Sequence, residues 1–235
     1  MAGRLMKSLE TGYSALVIGA SGGIGLAISN CLAADLSCSN LVRLSRREDG
    51  LDITDEETVH RAADRLRETA FDLVICATGA LTINGVGPEK SIRQLSQSVM
   101  MNQFAANAVG PALILKHFAP LLARKRRVIV AFLSARVGSI GDNQLGGWIS
   151  YRSSKAALNQ IVHTAAIEVS RTNPASVVVT VHPGSVMTSL SAPFSSGHQR
   201  SEPEIAAQAV LQALDSLQPA NSGGFFAYDG SPIAW

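Results

Sequence analysis

The chain has 235 residues, of which 46% are hydrophobic, 16% are charged and 5% are aromatic, and its formal net charge is +2. This length suits one globular domain with a sizeable core, so we expect a single domain over residues 1–235. A charge this small, with no basic tract interleaved by aromatic side chains, argues against a nucleic-acid partner and against electrostatic attachment to a membrane.

The apolar residues and the cysteines bear on the compartment. No window reaches about 18 consecutive apolar residues, and the run at residues 15–18 is too short for the core of a signal peptide. Cys31, Cys38 and Cys76 are sparse and not at metal-ligand spacing, which is typical of reduced thiols. We therefore expect a cytoplasmic protein without a membrane span and without a metal site.

Short apolar runs alternate with helix-length segments along the chain. The runs predict strands at residues 13–19, 40–45, 71–77, 127–134, 176–183 and 224–228. The segments between them predict helices at residues 23–34, 55–68, 98–122, 151–169 and 203–217, with Thr54 as N-cap of the second and a break at Pro111 in the third. Apolar strands separated by helices are typical of an α/β fold in which helices cover both faces of a parallel sheet. We expect the stretch 189–201, rich in Ser, Gly and Pro, to be mobile.

A glycine-rich turn joins the first predicted strand to its helix. It reads Gly19-Ala20-Ser21-Gly22-Gly23-Ile24-Gly25. Glycines at such a turn allow the backbone to approach a pyrophosphate group, which binds at the N-terminus of the following helix. The alternative is an ordinary glycine-rich loop, but the position between a strand and a helix favours dinucleotide binding.

The end of the second predicted strand bears on which dinucleotide binds. An acidic residue there would bond the ribose hydroxyls of NAD, whereas an arginine accommodates the 2′-phosphate of NADP. Arg46 and Arg47 follow this strand, and no carboxylate occurs before Glu48. We expect NADP(H) to be favoured over NAD(H), with Arg46 as the main phosphate partner. The alternative is a pair of solvated arginines on a loop.

A tyrosine and a lysine lie four residues apart at the start of the predicted helix 151–169. If the segment is helical, Tyr151 and Lys155 share one face. A nearby cation favours the phenolate, so we expect Lys155 to lower the pKa of Tyr151 from about 10 toward the range useful for acid–base catalysis. The spacing also occurs by chance in many helices, and the pair gains weight from the glycine turn upstream.

The glycine turn, the Tyr151–Lys155 pair and several landmarks between them resemble the short-chain dehydrogenase/reductase superfamily over nearly the whole chain. The landmarks that match the superfamily pattern are Asp52-Ile53, Cys76-Ala77-Thr78-Gly79, Asn107 and His182-Pro183-Gly184-Ser185-Val186-Met187-Thr188. The stretches 134–140, 146–148 and 228–235 resemble a narrower branch, the C-factor-like and sniffer-type carbonyl reductases. Some members of that branch are described as signalling factors and others as NADPH carbonyl reductases.

The resemblance implies a Rossmann-like doubly wound sheet and a role for each motif. NADPH would deliver hydride to the carbon of a small or medium carbonyl substrate while Tyr151 protonates the oxygen. Lys155 would also bond the nicotinamide ribose, and Asn107 would position the water that returns the proton. The motif residues implied to contact the cofactor are Gly19, Ser21, Gly22, Gly23, Ile24, Gly25, Arg46, Asp52, Ile53, Ala77, Thr78, Gly79, Ser134, Tyr151, Lys155, Pro183, Gly184, Val186 and Thr188. The resemblance also implies a homodimer or homotetramer, paired through the helices at 98–122 and 151–169.

Two positions depart from the superfamily pattern. Ala77 replaces an asparagine that supports the central sheet, and Ala135 stands where the catalytic serine is expected. Consecutive strand side chains point to opposite faces, so Ser134 cannot simply substitute for a hydroxyl at position 135. Losing such a hydroxyl could cost on the order of a hundredfold in rate. Either the loop relaxes so that Ser134 or Ser139 serves, or the enzyme is slow, or it does not act on ordinary ketones.

Other interpretations stay open. Ala135 favours a cofactor-binding protein with a signalling or interaction role, and a nucleotide-sugar epimerase is disfavoured because little chain remains for a substrate domain. His182, beside Pro183, either touches the substrate or cofactor or packs in the interior. The other histidines have no Cys or carboxylate at ligand spacing, which favours surface or packing roles for His60, His117, His163 and His198.

Overall fold

The apolar runs form a sheet of six parallel strands in the computed structural model, which describes residues 3–192 and 200–235. The strands are β1 (Tyr13–Ile18), β2 (Cys38–Leu44), β3 (Leu73–Cys76), β4 (Val128–Leu133), β5 (Ser176–His182) and β6 (Phe225–Ala227). They lie in the order β2-β1-β3-β4-β5-β6, and each neighbouring pair is parallel. The predicted strands and the α/β class are confirmed.

Helices cover both faces of the sheet. They are α1 (Gly23–Ala33), α2 (Arg46–Asp49), α3 (Glu56–Asp64), α4 (Gln97–Phe104), α5 (Gly110–Phe118), α6 (Ile149–Thr172) and α7 (Pro203–Ser216). One apolar core lies under α1 and α7, where Ile28 and Leu211 are fully buried. The other lies under α3, α5 and α6 and includes Val59, Ile114 and Leu158. The sheet is therefore doubly wound, as the sequence predicts.

The start of α3 differs from the prediction. Asp55, not Thr54, is the N-cap, and its carboxylate accepts a hydrogen bond from the Glu57 backbone N–H at 3.1 Å. The Thr54 hydroxyl instead donates to Asp52 Oδ1 at 2.7 Å, within the preceding turn. The helix also ends at Asp64, earlier than the predicted residue 68. Two adjacent cap-forming side chains look alike in sequence, and only the course of the turn selects between them.

The helix does not break at Pro111 as expected, and its irregularity lies before the proline. A π-helical turn, Ala105–Val109, separates α4 from α5, and Pro111 lies in the first turn of α5. Proline has no N–H to donate and its ring collides with the carbonyl group four residues earlier, which is that of Asn107. The wider π turn relieves this crowding on the segment that carries Asn107.

The two arginines after β2 lie on the short helix α2, not on a loop as the alternative interpretation had it. Ser45 caps this helix by accepting a hydrogen bond from the Glu48 N–H at 3.2 Å. Part of the stretch predicted to be mobile, residues 193–199, lies outside the described residues. The chain on either side is joined by a hydrogen bond from the Met187 N–H to the Ser201 carbonyl oxygen at 2.9 Å.

The sheet topology brings the sequence motifs to one edge. Strands on either side of β1 and β3 lead the chain in opposite directions, which creates a crevice at the carboxyl ends of these two strands. The glycine turn follows β1, the segment 77–79 follows β3, Ser134 follows β4 and Pro183 follows β5. Within residues 3–192 and 200–235, no helix has the length and hydropathy to cross a bilayer.

Candidate active site

A cleft of about 610 Å³ opens at the carboxyl ends of β1, β3, β4 and β5. Most of the residues expected to contact a cofactor line it together. They are Gly22, Gly23, Ile24, Ala77, Thr78, Gly79, Ser134, Tyr151, Lys155, Pro183, Gly184, Val186 and Thr188. Residues from distant parts of the sequence therefore converge on one site, at the place where doubly wound sheets bind their ligands.

The glycine turn has the form that a pyrophosphate requires. Gly19 has φ +86°, and a Cβ atom on Gly25 would collide with the Gly19 carbonyl oxygen. A Cβ atom on Gly23 would lie 2.6 Å from the Thr188 side chain, which closes over the turn from the β5 side. The N-terminus of α1 has no side-chain cap at Gly22 and no acidic residue in its first turn. Its N–H groups and positive dipole end therefore suit the diphosphate of a nicotinamide dinucleotide.

Tyr151 and Lys155 lie on one face of α6, as their spacing predicts. The Lys155 ammonium group is 6.0 Å from the centroid of the Tyr151 ring and donates to the Leu133 carbonyl oxygen at 3.1 Å. Both residues are buried, with 8% of Tyr151 and 3% of Lys155 exposed. The Trp148 ring stands edge-on to the Tyr151 ring at 6.2 Å and packs beside the phenol.

The pKa of Tyr151 shifts in the direction opposite to the expected one. Burial raises the pKa of the Tyr151 phenol to about 12. Burial also lowers the pKa of Lys155 to about 8, an effect opposed by the nearby Cys76 thiol. The expected lowering of the Tyr151 pKa does not occur in this cleft, because loss of water around the buried phenol raises the pKa and the amine lies 6.0 Å from the ring centre. Near neutral pH the phenol holds its proton and can donate it.

Asn107 lies behind the cleft and is fully engaged in hydrogen bonds. Its Oδ1 accepts from the Ala80 N–H at 2.9 Å, and its Nδ2 donates to the Ala80 carbonyl oxygen and to Gln103 Oε1. A Cβ atom on Gly79 would lie 3.1 Å from Lys155 Nζ and 3.2 Å from Asn107 Oδ1. The two side chains therefore flank the same backbone segment. The Asn107 amide fixes the loop after β3, while its expected part in holding a water stays a prediction.

Neither serine proposed as a substitute for Ala135 offers a free hydroxyl to the cleft. Ala135 itself lines the cleft. The Ser134 hydroxyl donates to Asn159 Oδ1 at 2.7 Å, beneath α6. Ser139 is 2% exposed, does not line the cleft, and accepts a hydrogen bond from the Asp142 N–H at 3.1 Å.

The cleft lining leaves out three residues expected to contact the cofactor, which are Arg46, Asp52 and Ile53. Arg46 is on α2 with its side chain 80% exposed, and its guanidinium is 3.9 Å from the Asp52 carboxylate. Hydrogen bonds from Thr54 lower the pKa of Asp52, so this carboxylate is ionised. Ile53 packs against Gly110, where a Cβ atom would lie 2.8 Å from the Ile53 side chain. Gly19, Ser21, Gly25 and Asn107 likewise do not line the cleft.

Several residues of the site carry no sequence signal. Leu81, Thr82 and Leu190 line the cleft from loops, where apolar or hydroxyl side chains form no recognisable pattern. Glu89 is 5% exposed, and its carboxylate accepts hydrogen bonds from the Ser150 N–H at 3.2 Å and from the Ser150 hydroxyl. It thus caps α6 from 61 residues away in the sequence. Such a long-range cap is visible only in the folded chain. No group of three or more metal-ligating side chains occurs in the part of the chain that the structure describes.

Known proteins share both the sequence pattern and the fold. The profile of the family described as short chain dehydrogenase matches residues 13–199. A 1-hydroxy-2-glutathionyl-2-methyl-3-butene dehydrogenase from a Rhodococcus species is 33% identical, over 94% of this chain and 98% of its own. The C-signal of Myxococcus xanthus is 34% identical over 58% of this chain and 78% of its own.

Solved structures agree on the architecture. The NADPH-bound carbonyl reductase from chicken fatty liver superposes with a TM-score of 0.81 at 24% identity, covering 98% of this chain and 96% of its own. The carbonyl reductase Sniffer of D. melanogaster gives a TM-score of 0.78 at 21% identity, covering 95% of this chain and 99% of its own. At these identities the structures show a common fold. Because the family profile spans most of the chain, this protein belongs to the short-chain dehydrogenase/reductase family of oxidoreductases.

Proposed function

We propose that this oxidoreductase uses NADP(H) to reduce a small or medium carbonyl compound to an alcohol, with Tyr151 as the proton donor. One observation carries the proposal: a buried phenol, whose pKa of about 12 keeps it protonated, lines the cleft into which the glycine turn opens. The apolar lining from Leu81, Val186 and Leu190 suits the carbon skeleton of such a substrate.

The residues divide the chemistry between them. A bound nicotinamide dinucleotide supplies the hydride. Tyr151 donates its hydroxyl proton to the substrate oxygen as that oxygen becomes negative. Lys155, charged and 6.0 Å from the ring centre, stabilises the phenolate that remains and supports its reprotonation. Asn107 holds the loop after β3 in place behind both groups.

The remaining motif residues would hold the dinucleotide. Gly22, Gly23 and Ile24 would present backbone N–H groups to its diphosphate, and Thr188 would cover that group. Arg46, exposed and only weakly paired with Asp52, would bind a 2′-phosphate, which NADP carries and NAD lacks. These assignments favour NADP(H) as the cofactor.

A substrate panel tests the proposal. Purified protein with NADPH is offered aldehydes, ketones and quinones, and 1-hydroxy-2-glutathionyl-2-methyl-3-butene with the oxidised cofactors, because the Rhodococcus relative is named for that alcohol. We expect NADPH-dependent reduction of at least one carbonyl compound, abolished in the Tyr151→Phe variant. Absence of any Tyr151-dependent turnover across the panel would contradict the proposal.

A second candidate is a cofactor-binding protein with a signalling role and little turnover. The lack of a free Ser134 or Ser139 hydroxyl beside Ala135 favours it, as does similarity to the C-signal of Myxococcus xanthus. It predicts tight NADPH binding in a titration, no turnover on the panel, and a protein partner that copurifies only with the cofactor-loaded form. Turnover on the panel that requires Tyr151 excludes it.

A further inference from the structure

Buried polar atoms without a partner gather on one side of the sheet beside the cleft. Asn159 Nδ2, Thr180 Oγ1 and His182 Nδ1 have no hydrogen-bond partner among the described residues. Thr180 and His182 alternate along β5 and so face the same side as Val178, which packs in the core under α6. Buried polar groups nearly always make a hydrogen bond, so a buried group without one next to a cleft requires a physical reason.

The register of the sheet and one hydrogen bond place Ser134 and Asn159 on the same side of the sheet as Thr180 and His182. Leu133 pairs with Val181, so Ser134 is the neighbour of His182 on the adjacent strand. The Ser134 hydroxyl donates to Asn159 Oδ1 at 2.7 Å, which directs the Asn159 amide into the same region. We call Ser134, Asn159, Thr180 and His182 the polar seam.

His182 extends from the polar seam into the cleft. It lines the cleft together with Ala135 and Tyr151. Its Nδ1 is buried without a partner, whereas Nε2 is not among the described buried polar atoms that lack one. Burial, reinforced by the Arg136 guanidinium, lowers the pKa of His182 to about 4. The ring is therefore neutral near pH 7, with one N–H to donate.

A carbonyl oxygen can accept a second hydrogen bond besides the one from Tyr151, because it has two lone pairs. Neither nearby serine hydroxyl donates to the cleft, since that of Ser134 donates to Asn159 Oδ1 and Ser139 does not line the cleft. The neutral ring carries one proton, and the tautomer with that proton on Nε2 leaves Nδ1 without a proton in the polar seam. His182 then presents a donor to the cleft in a site largely withdrawn from water, where such donors act strongly.

We propose that His182 Nε2–H donates the second hydrogen bond to the substrate oxygen, a role left without a hydroxyl at Ala135. The inference rests on the proposed carbonyl reduction and adds a second donor to it. The proton that is transferred still comes from Tyr151, so His182 stabilises the developing oxyanion without changing its own protonation state.

Substitutions at two positions test the role of His182, with 4-nitrobenzaldehyde and NADPH as substrates. We expect His182→Phe to lower kcat about a hundredfold with the dissociation constant of NADPH unchanged. His182→Gln places an amide N–H near the position of Nε2 and should keep most of the wild-type kcat. His182→Asn places its amide near the position of Nδ1 and should not. Adding Ala135→Ser to His182→Phe should raise kcat about tenfold or more, because the serine supplies a hydroxyl for the same substrate oxygen.

A kcat of His182→Phe equal to that of the wild type would overturn the inference. So would an Ala135→Ser, His182→Phe double variant no faster than His182→Phe while NADPH binding and thermal stability are intact. A hydroxyl at position 135 should raise kcat less in the wild type, where His182 already bonds the oxygen, than in His182→Phe, and equal gains in the two backgrounds would show that His182 has only a packing role. The rescue therefore separates contact with the substrate from a packing role.

A readout without turnover completes the test. Protein saturated with NADP⁺ cannot reduce carbon-13-labelled 4-nitrobenzaldehyde, and the carbonyl stretching frequency of the bound aldehyde reports hydrogen bonding to its oxygen. We expect a downshift in the wild type, a smaller downshift in His182→Phe and recovery in the double variant. Equal frequencies in the wild type and His182→Phe would contradict the inference. A wild type that reduces no compound of the panel contradicts the proposed function itself.

Discussion

Burial acts in opposite directions on the two ionisable groups of the cleft. It raises the pKa of Tyr151 to about 12 and lowers that of Lys155 to about 8. Both shifts favour the uncharged form, because an ion loses water when it is buried. The amine therefore changes its charge closer to physiological pH than the phenol does.

This order of titration predicts the pH dependence of the free enzyme. Lys155 is charged below about pH 8 and neutral above it, while Tyr151 keeps its proton up to about pH 12. We expect kcat/KM for NADPH, which reports groups of the free enzyme, to fall as the pH rises through about 8. A profile that stays level to about pH 10 would show that the charge of Lys155 is not needed or is not lost there.

Arg46 offers a test of cofactor preference at a single side chain. Its guanidinium is exposed and 3.9 Å from Asp52, so it is available to a phosphate group. We expect Arg46→Ala to raise KM for NADPH about tenfold or more and to leave KM for NADH unchanged, since a charge-assisted hydrogen bond contributes about 1.5–3 kcal/mol. Arg47→Ala is the matched control. Equal KM values for NADPH and NADH in the wild type would remove the basis for this assignment.

The motif residues could be predicted from the sequence, but their pKa shifts and their long-range hydrogen bonds could not. Tyr151 and Lys155 share a helix face because of spacing alone, and the glycine turn is recognisable from its position after a strand. The sign of the Tyr151 shift depends on how much water the folded cleft leaves around the phenol, which spacing does not encode. The Ser134–Asn159 hydrogen bond joins residues 25 apart in sequence and has no local signature.

At the scale of elements, α6 is held at its N-terminus by a distant loop. Trp148 at the N-cap position has φ +56° and makes no side-chain capping bond. Its backbone N–H and that of Ser150 donate instead to the carbonyl oxygen and the carboxylate of Glu89. A carboxylate at this end also interacts favourably with the helix dipole. The start of the helix that carries Tyr151 therefore depends on Glu89.

We expect Glu89→Ala to lower the free energy of unfolding by about 1–2 kcal/mol, as loss of a cap does. Glu89→Gln keeps an oxygen acceptor for the Ser150 N–H and should be closer to the wild type. Urea denaturation of the three proteins gives the comparison. If Glu89→Ala matched the wild type in both midpoint and slope, the cap would have no energetic role.

The elements that could be predicted are those dictated by local composition. The strands β3 and β4 are fully buried parallel strands, and their continuous apolar runs predict them. The π-helical turn before Pro111 could not be located, because its position depends on how the chain relieves a clash within α4 and α5. The short helix α2 was missed because four residues carry too little periodicity to recognise.

At the scale of the whole molecule, the doubly wound sheet creates the cleft by reversing the strand order between β1 and β3. This topology follows from the alternation of strands and helices in the sequence, which is why the location of the site could be predicted before its contacts. Assembly into oligomers depends instead on surface shape, and periodicity does not specify it.

The expected homodimer or homotetramer stays a prediction. Met101 on α4, Val109 on the π-helical turn and Ile167 on α6 are 65%, 51% and 50% exposed, respectively. Apolar side chains on these segments are compatible with pairing through helices. We expect sedimentation equilibrium to give two or four times the chain mass of 24.7 kDa, and Met101→Lys to shift the distribution toward smaller species. A mass equal to one chain at all concentrations would contradict the prediction.

Single-turnover reduction tests the central claim, that the Tyr151 phenol gives its proton to the substrate oxygen. Protein loaded with NADPH is mixed with an aldehyde that the wild type reduces, and NADPH oxidation is followed by absorbance. We expect Tyr151→Phe to slow the reaction by about a hundredfold or more with NADPH affinity unchanged. Tyr13→Phe, which removes a hydroxyl bonded to Asp35 outside the cleft, should react at the wild-type rate. Reduction by Tyr151→Phe at the wild-type rate would contradict the account.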